Sequence, residues 1–357
     1  MSFRKHNRAA LGLAAALAAL TFTQCNMGDD NNGGTAFRQI NLIADTAKFP
    51  SKKIDTNLVN PWGLAVSSSG NFWVANNETG VSTIYDGNGE PKLSPVTIPG
   101  ADSGEGKPTG AVLNNTASFN LPNGGGKATF LFAGEDGTVT GWNTGAHAAV
   151  VIDRSSSGAV YKGIAIATHN GADFLYLANF HGGTVEVFNT NFQMDSAHAF
   201  KDSTLPADFA PFNVVAVKNQ LWVTYAKQLL PDKEEEQPGA GFGYVNIFNA
   251  DGSLVRRFAS QGQLNAPWGV AVTGGNFGPF NDAVFIGNFG DGAINAFDSG
   301  GRPLGKVQDV NGRTIILPGL WALYWLPEGG NFGEDRLYFT AAPDEEAHGI
   351  FGYFISF

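Results

Sequence analysis

Three asparagines stand at the same place in three similar phrases: Asn76 in FWVANN, Asn179 in LYLANF and Asn288 in FIGNFG, each closing a short apolar run before a turn. Glu135 comes one residue beyond the matching position of a fourth phrase, LFAGED. Amide and carboxylate oxygens of this kind suit Ca2+, which takes about six to eight oxygen ligands. The set Asn76, Glu135, Asn179 and Asn288 is therefore a candidate metal site, provided that the fold gathers it. A local reading competes, because an asparagine at a strand end starts a turn by bonding its own backbone. His181 in NFHGG and His348 in EEAHG fall in turns of the same kind and are candidate general bases near neutral pH, with loop bracing as the plainer role. Trp62, Phe212, Trp268 and Trp321 each take second place in a phrase such as PWGLAV. Stacked rings at a channel rim would hold a flat, partly apolar ligand, and the same large side chains would equally fill a core. Asp136 and Asp291 sit in Gly-bounded loops that hairpin turns explain.

These residues share a frame. The phrase PWGLAV, then FWVANN, then VSTIYDGNG recurs as YKGIAI, FLYLANFHGG and VEVFN, and as PWGVAV, AVFIGNFGDG and INAFDSGG. Weaker copies begin at Pro108, Pro211 and Leu320. Their second residues, Trp62, Thr109, Lys162, Phe212, Trp268 and Trp321, recur about every 50 residues, and each unit holds room for about four short strands bounded by Gly, Asn or Asp turns. Gly 47 with only 15% charged residues fits strands and tight turns better than surface helices. The spacing predicts an all-β fold: a six-bladed β-propeller of four-stranded antiparallel blades over 36–357. The sixth unit lacks an outer strand after IFGYFISF, and Phe37 to Ala44 is expected to supply it, so that the two chain ends share one blade. Loops entering the inner strand and leaving the second strand then lie on one face, here the upper face. The longest of them, Lys227 to Gly241, reads as a lid or partner-contact segment, and its acidic run Glu234 to Glu236 as a solvated loop.

The pattern P-x-G-h-A-V, then G-N-F-W-V-A-N, then I-Y-D-G-N-G over Pro61 to Gly89 resembles the NHL repeat, whose arrays form six-bladed propellers. More narrowly, NLVNPWGLA, LANFHGGTVEVF, LNAPWGVAV and GNFGDGAINAF look like a family of exported bacterial proteins of unassigned function. The resemblance implies the fold over 37–357 and no single activity, since such propellers serve as metal-centred lactone and ester hydrolases, lyases and pure binding scaffolds. Two functions are expected on these grounds: a ligand or protein partner bound on the upper face, with Ca2+ on the axis; and a metal-dependent hydrolase or lyase working at the same place.

The N-terminus reads as a targeting segment over 1–24, with Arg4, Lys5 and Arg8 ahead of the apolar run Ala9 to Phe22. The lone cysteine, Cys25, comes next, where a lipoprotein carries its anchor, although Phe22 and Gln24 depart from the usual preference before it. Residues 25–35 are polar and Gly-rich, as a tether is. Export is the expectation, as a cell-envelope lipoprotein or a secreted protein, with membrane contact only through that lipid. A formal charge of -10 without a Lys/Arg cluster argues against nucleic acid as a partner. No G-x-S-x-G, H-E-x-x-H or C-x-x-C occurs, so no nucleophile or metal motif identifies an enzyme.

Overall fold

The computed structural model describes residues 35–326 and 335–357; the targeting segment, Cys25 and nearly all of the tether lie outside them. Six antiparallel sheets are arranged as a six-bladed propeller. The inner strands are Pro61–Val66, Pro108–Leu113, Tyr161–His169, Phe209–Val217, Pro267–Val272 and Leu320–Leu326. Each touches the next and the sixth touches the first, which closes the ring. These are the apolar phrases of the repeat. They are buried because the blade wedges meet there.

Every inner strand carries a β-bulge next to its second residue. The register slips between Pro61 and Leu64, Pro108 and Ala111, Tyr161 and Gly163, Pro211 and Asn213, Pro267 and Gly269, and Leu320 and Leu323. A bulge leaves one residue out of the ladder and re-aims its side chain. Here the residue so released is the second of each phrase. The position after it approaches the next blade closely: a Cβ on Gly163 would lie 2.2 Å from Asn213 Oδ1.

Blade six closes as the sequence predicts. Phe37–Ala44 lies antiparallel to Ile350–Ser356, from Phe37 opposite Ser356 to Ala44 opposite Ile350. Phe37 is 2% exposed and packs on Phe277 and Phe280 at 5.0 and 6.0 Å, the two rings of a small hairpin in blade five. Gly278 at the tip of that hairpin has φ +60, and a Cβ there would meet Phe37 Cζ at 2.6 Å. The chain end is thus pinned into the neighbouring blade as well as into its own.

Blade three departs from the four-stranded expectation. Its described strands are Tyr161–His169, Ala172–Asn179 and Thr184–Phe188, with the fourth reduced to a single antiparallel bridge between Phe188 and Met194. Asn189 caps the turn between them, Phe192 takes φ 60, and Asp195 donates to the Val187 carbonyl at 2.7 Å before the chain leaves the blade. The segment leans on blade four through Phe200 against Phe248 and Asp202 against Arg257.

Phe37→Ala should lower unfolding free energy by about 3–5 kcal/mol, the usual cost of emptying a buried phenylalanine site. Phe357→Ala, at a side chain that is 53% exposed, should stay within about 0.5 kcal/mol. Urea midpoints of the two variants check whether the terminal strand is pinned through Phe37.

Candidate functional site

Two rings of side chains meet at the upper end of the axis. One is the bulged set Trp62, Thr109, Lys162, Phe212, Trp268 and Trp321, all buried. The other lies on the second strands, one residue beyond the ladder partner of each phrase's first residue: Asn77, Glu135, Phe180, Ala226, Phe289 and Ala342. Successive strand residues face opposite ways, so a one-residue step decides which group reaches the axis. Asn76, Asn179 and Asn288 therefore turn into their own blades.

There they hold strand to strand. Asn76 Nδ2 donates to Thr83 Oγ1 at 3.0 Å. Asn179 donates to Glu186 at 2.9 Å and accepts from the amides of Val160 and Gly182. Asn288 donates to the Gln263 carbonyl and to Asp291. Of the four candidate Ca2+ ligands only Glu135 faces the axis, so that set does not converge on one point.

The aromatics fill the channel. Trp62 and Trp321 stack at 3.5 Å, Phe289 lies on Trp321 at 4.2 Å, and Trp268 meets both tryptophans edge-on. Their indole N–H groups are all used: Trp62 and Trp321 donate to Asn60 Oδ1, and Trp268 to the Lys162 carbonyl. Trp62, Phe212, Trp268 and Trp321 are thus a plug and not an open rim. Below them the channel continues as a cavity of about 580 Å³ walled by the lower halves of the inner strands.

On the plug sits Lys162, its side chain 1% exposed. Its Nζ lies 5.3 Å from the centroid of Trp62, 5.5 Å from Phe180 and 5.8 Å from Phe212. Three carboxylates surround it: Glu235 at 3.1 Å, Glu135 at 3.3 Å and Glu236 at 3.4 Å. Asn77 donates to the other oxygen of Glu135 at 2.9 Å. A fourth carboxylate, Glu346, accepts from Asn60 at 3.2 Å. It comes from a blade-six turn in which Asp344, Glu345 and Glu346 all have positive φ, a conformation that costs non-glycine residues about 1–2 kcal/mol each. Glu235 and Glu236, expected in a solvated loop, are instead brought over the axis: a bridge between Gln228 and Glu236 folds the blade-four loop inward, and Glu236 is buried.

Burial opposes a charge on Lys162, yet Glu236, Glu235 and Glu135 outweigh it and hold the ammonium above its usual range. Burial raises Glu135 and Glu236, with Lys162 pulling the other way. Burial, then Glu236 and Glu135, push Glu346 up to about 8. Three carboxylates thus contact one ammonium above the rings, with Glu346 nearby on Asn60, and the side chain of Glu235 is 48% exposed. The histidines stand apart from it. His348 Nδ1 pairs with Asp45 at 2.7 Å and its ring meets Phe49, bracing the chain just after the terminal strand. His181 faces a crevice between blades three and four.

Glu346 retains its proton in the fold at pH values where the unfolded chain has lost it, so stability should fall as pH rises from about 4.5 through about 8. Glu346→Gln should match the wild-type melting temperature at pH 4.5 and exceed it at pH 8.5; parallel pH profiles of the two proteins would remove Glu346 as the cause. Lys162→Met leaves the carboxylates without their counter-ion and should cost about 3–5 kcal/mol at pH 8, with a smaller loss at pH 5, read from urea midpoints at the two pH values.

Two proteins of Acanthamoeba polyphaga mimivirus, both called uncharacterized, are 34% and 32% identical to this chain over 325 and 329 residues. The alignments cover 88% of this chain in both cases and 79% and 84% of the relatives. No family model matches the chain. A streptogramin B lyase is similar in structure with a TM-score of 0.52, over 90% of this chain and 97% of its own, at 12% identity, which is a likeness of fold alone. With a third of the aligned residues identical across most of both sequences, the chain belongs to the same family as these two mimivirus proteins.

Proposed function

We propose that the protein is an exported, NHL-like binding propeller that takes a ligand bearing a positively charged group at the upper end of its axis. The observation that carries this reading is the imbalance around Lys162: three carboxylates from blades two and four meet one ammonium, and Glu135 and Glu235 keep a solvent-facing side. A cation above Lys162 would relieve the repulsion that Lys162 alone leaves among them. The fixed oxygens favour a compact cation, either an organic ammonium or Ca2+, which binds carboxylates readily. Export and a lipid on Cys25 rest on the N-terminal sequence. An acid-base enzyme is the second reading, favoured by Glu346, which at about 8 holds a proton at neutral pH in a site open to ligand.

Calorimetric titration of the folded chain with methylammonium, and separately with Ca2+ after chelator treatment, tests the proposal. One-to-one binding weakened at least about tenfold by Glu235→Gln is the expected result, one charge-assisted contact being removed. No saturable binding of either cation at millimolar concentration would overturn it. Hydrolysis of lactones or esters that disappears in Glu346→Gln would move the balance to the enzyme reading.

A further inference from the structure

A crevice of about 450 Å³ lies on the upper face between blade three and the segment that leads into blade four. It is lined by the turn His181 to Gly183, by residues of the segment Phe200 to Phe209, by Tyr225 and Gln228 of blade four, and by Lys233 of the blade-four loop. We propose that this crevice is a second binding site, for a small organic anion with an apolar body.

Charge and shape together support it. His181, Lys201 and Lys233 all line the crevice, and none of their side chains has a hydrogen-bond or ion-pair partner among the described residues. Elsewhere on this acidic chain most described basic groups are committed: Lys48, Lys53, Lys92, Lys107, Lys162 and Lys227, for example, each pair with a carboxylate. Asp202, the one carboxylate in the lining, is already spent. Arg257, Asn246 and Thr204 all bond it, and although burial works to raise it, Thr204 and Arg257 hold it at about 2. The crevice therefore carries two unneutralised ammonium groups and an imidazole in a protein of net charge -10. Between them lie Phe200, Leu205, Pro206 and Phe209, enough apolar wall for a ring or short alkyl chain. The volume falls within the range of small-molecule sites, about 300–1,000 Å³.

The crevice and the axial carboxylates lie on opposite sides of one loop. Glu235 turns to Lys162 while Lys233, two residues earlier, turns to the crevice. Opposite charge preferences across a single loop make the two sites separately testable.

Saturation-transfer NMR and calorimetry on the folded chain, with phenylacetate, phenyl phosphate and neutral benzyl alcohol as probes, decide the matter. Saturable one-to-one binding of either anion, with benzyl alcohol at least about tenfold weaker, is expected. The double variant Lys201→Glu/Lys233→Glu, at two exposed side chains, should keep the wild-type melting temperature and lose the anion by about tenfold or more, while Lys52→Glu should leave it unchanged. The relative strength of the carboxylate and the phosphate distinguishes the two head groups. Absence of saturation with both anions, equal binding of benzyl alcohol, or binding that the double variant leaves intact would each overturn the assignment. Glu235→Gln, which weakens a cation on the axis, should not move it, so the two sites fail or stand apart.

Discussion

Closing six wedges into a ring brings six strand ends within touching distance of one another, and whatever the sequence puts there has to be mutually satisfied. In this protein the upper end of the axis is resolved by one ammonium. Lys162 sits on the rings of Trp62, Phe180 and Phe212 and answers carboxylates delivered by blades two and four. Asn60 and Asn77, two amides flanking blade one, tie the remaining oxygens down. A buried ion pair stabilises little on its own account, but its removal leaves charge without solvent or partner. The arrangement of the upper loops is a product of that constraint: the blade-four loop folds inward and the blade-six turn adopts left-handed geometry, both ending on the same few oxygens.

Much of the architecture was legible in the repeat. The recurring phrases locate the inner strands, and the apolar chain end together with Phe37 to Ala44 identifies how the ring closes, because both signals depend on local periodicity and on the need to cover an edge. The axial site was legible only in part. Reading Asn76, Asn179 and Asn288 as axial placed the right strands at the right height but on the wrong side of the alternation, by one residue. The signal that could have corrected it was present: Lys162 is the single cation among six otherwise uncharged second positions, and a lysine in a position of wedge packing requires carboxylates to meet it. Glu235 and Glu236 looked like a solvated run because charge runs are usually so. Their destination depends on a fold-back of the loop that no periodicity records. The shortening of blade three's fourth strand to one bridge was invisible for the opposite reason, since VEVFN reads like any third strand and the residues after it carry no pattern to be missed.

Fold and function separate cleanly here. The likeness to a lyase at 12% identity describes how the chain is folded, and kinship with the mimivirus proteins describes its descent. Neither says what the residues above the plug bind. The distinguishing feature of this ring is chemical: opposite charge preferences on the two sides of the Lys227 to Gly241 loop, with aromatic side chains supplying the surfaces between.

The shared blade also sets an order of events in time. The strand Phe37–Ala44 is made well before its partner Ile350–Ser356, and the His348–Asp45 contact spans 303 residues. Synthesis of the intervening chain takes on the order of tens of seconds, during which the first strand has no sheet to join. Five blades can assemble in that interval while the ring stays open, and the sixth cannot. A propeller closed in this way is a clasp fastened by two segments far apart in the sequence, so a chain that lacks Ile350–Ser356 leaves the ring open.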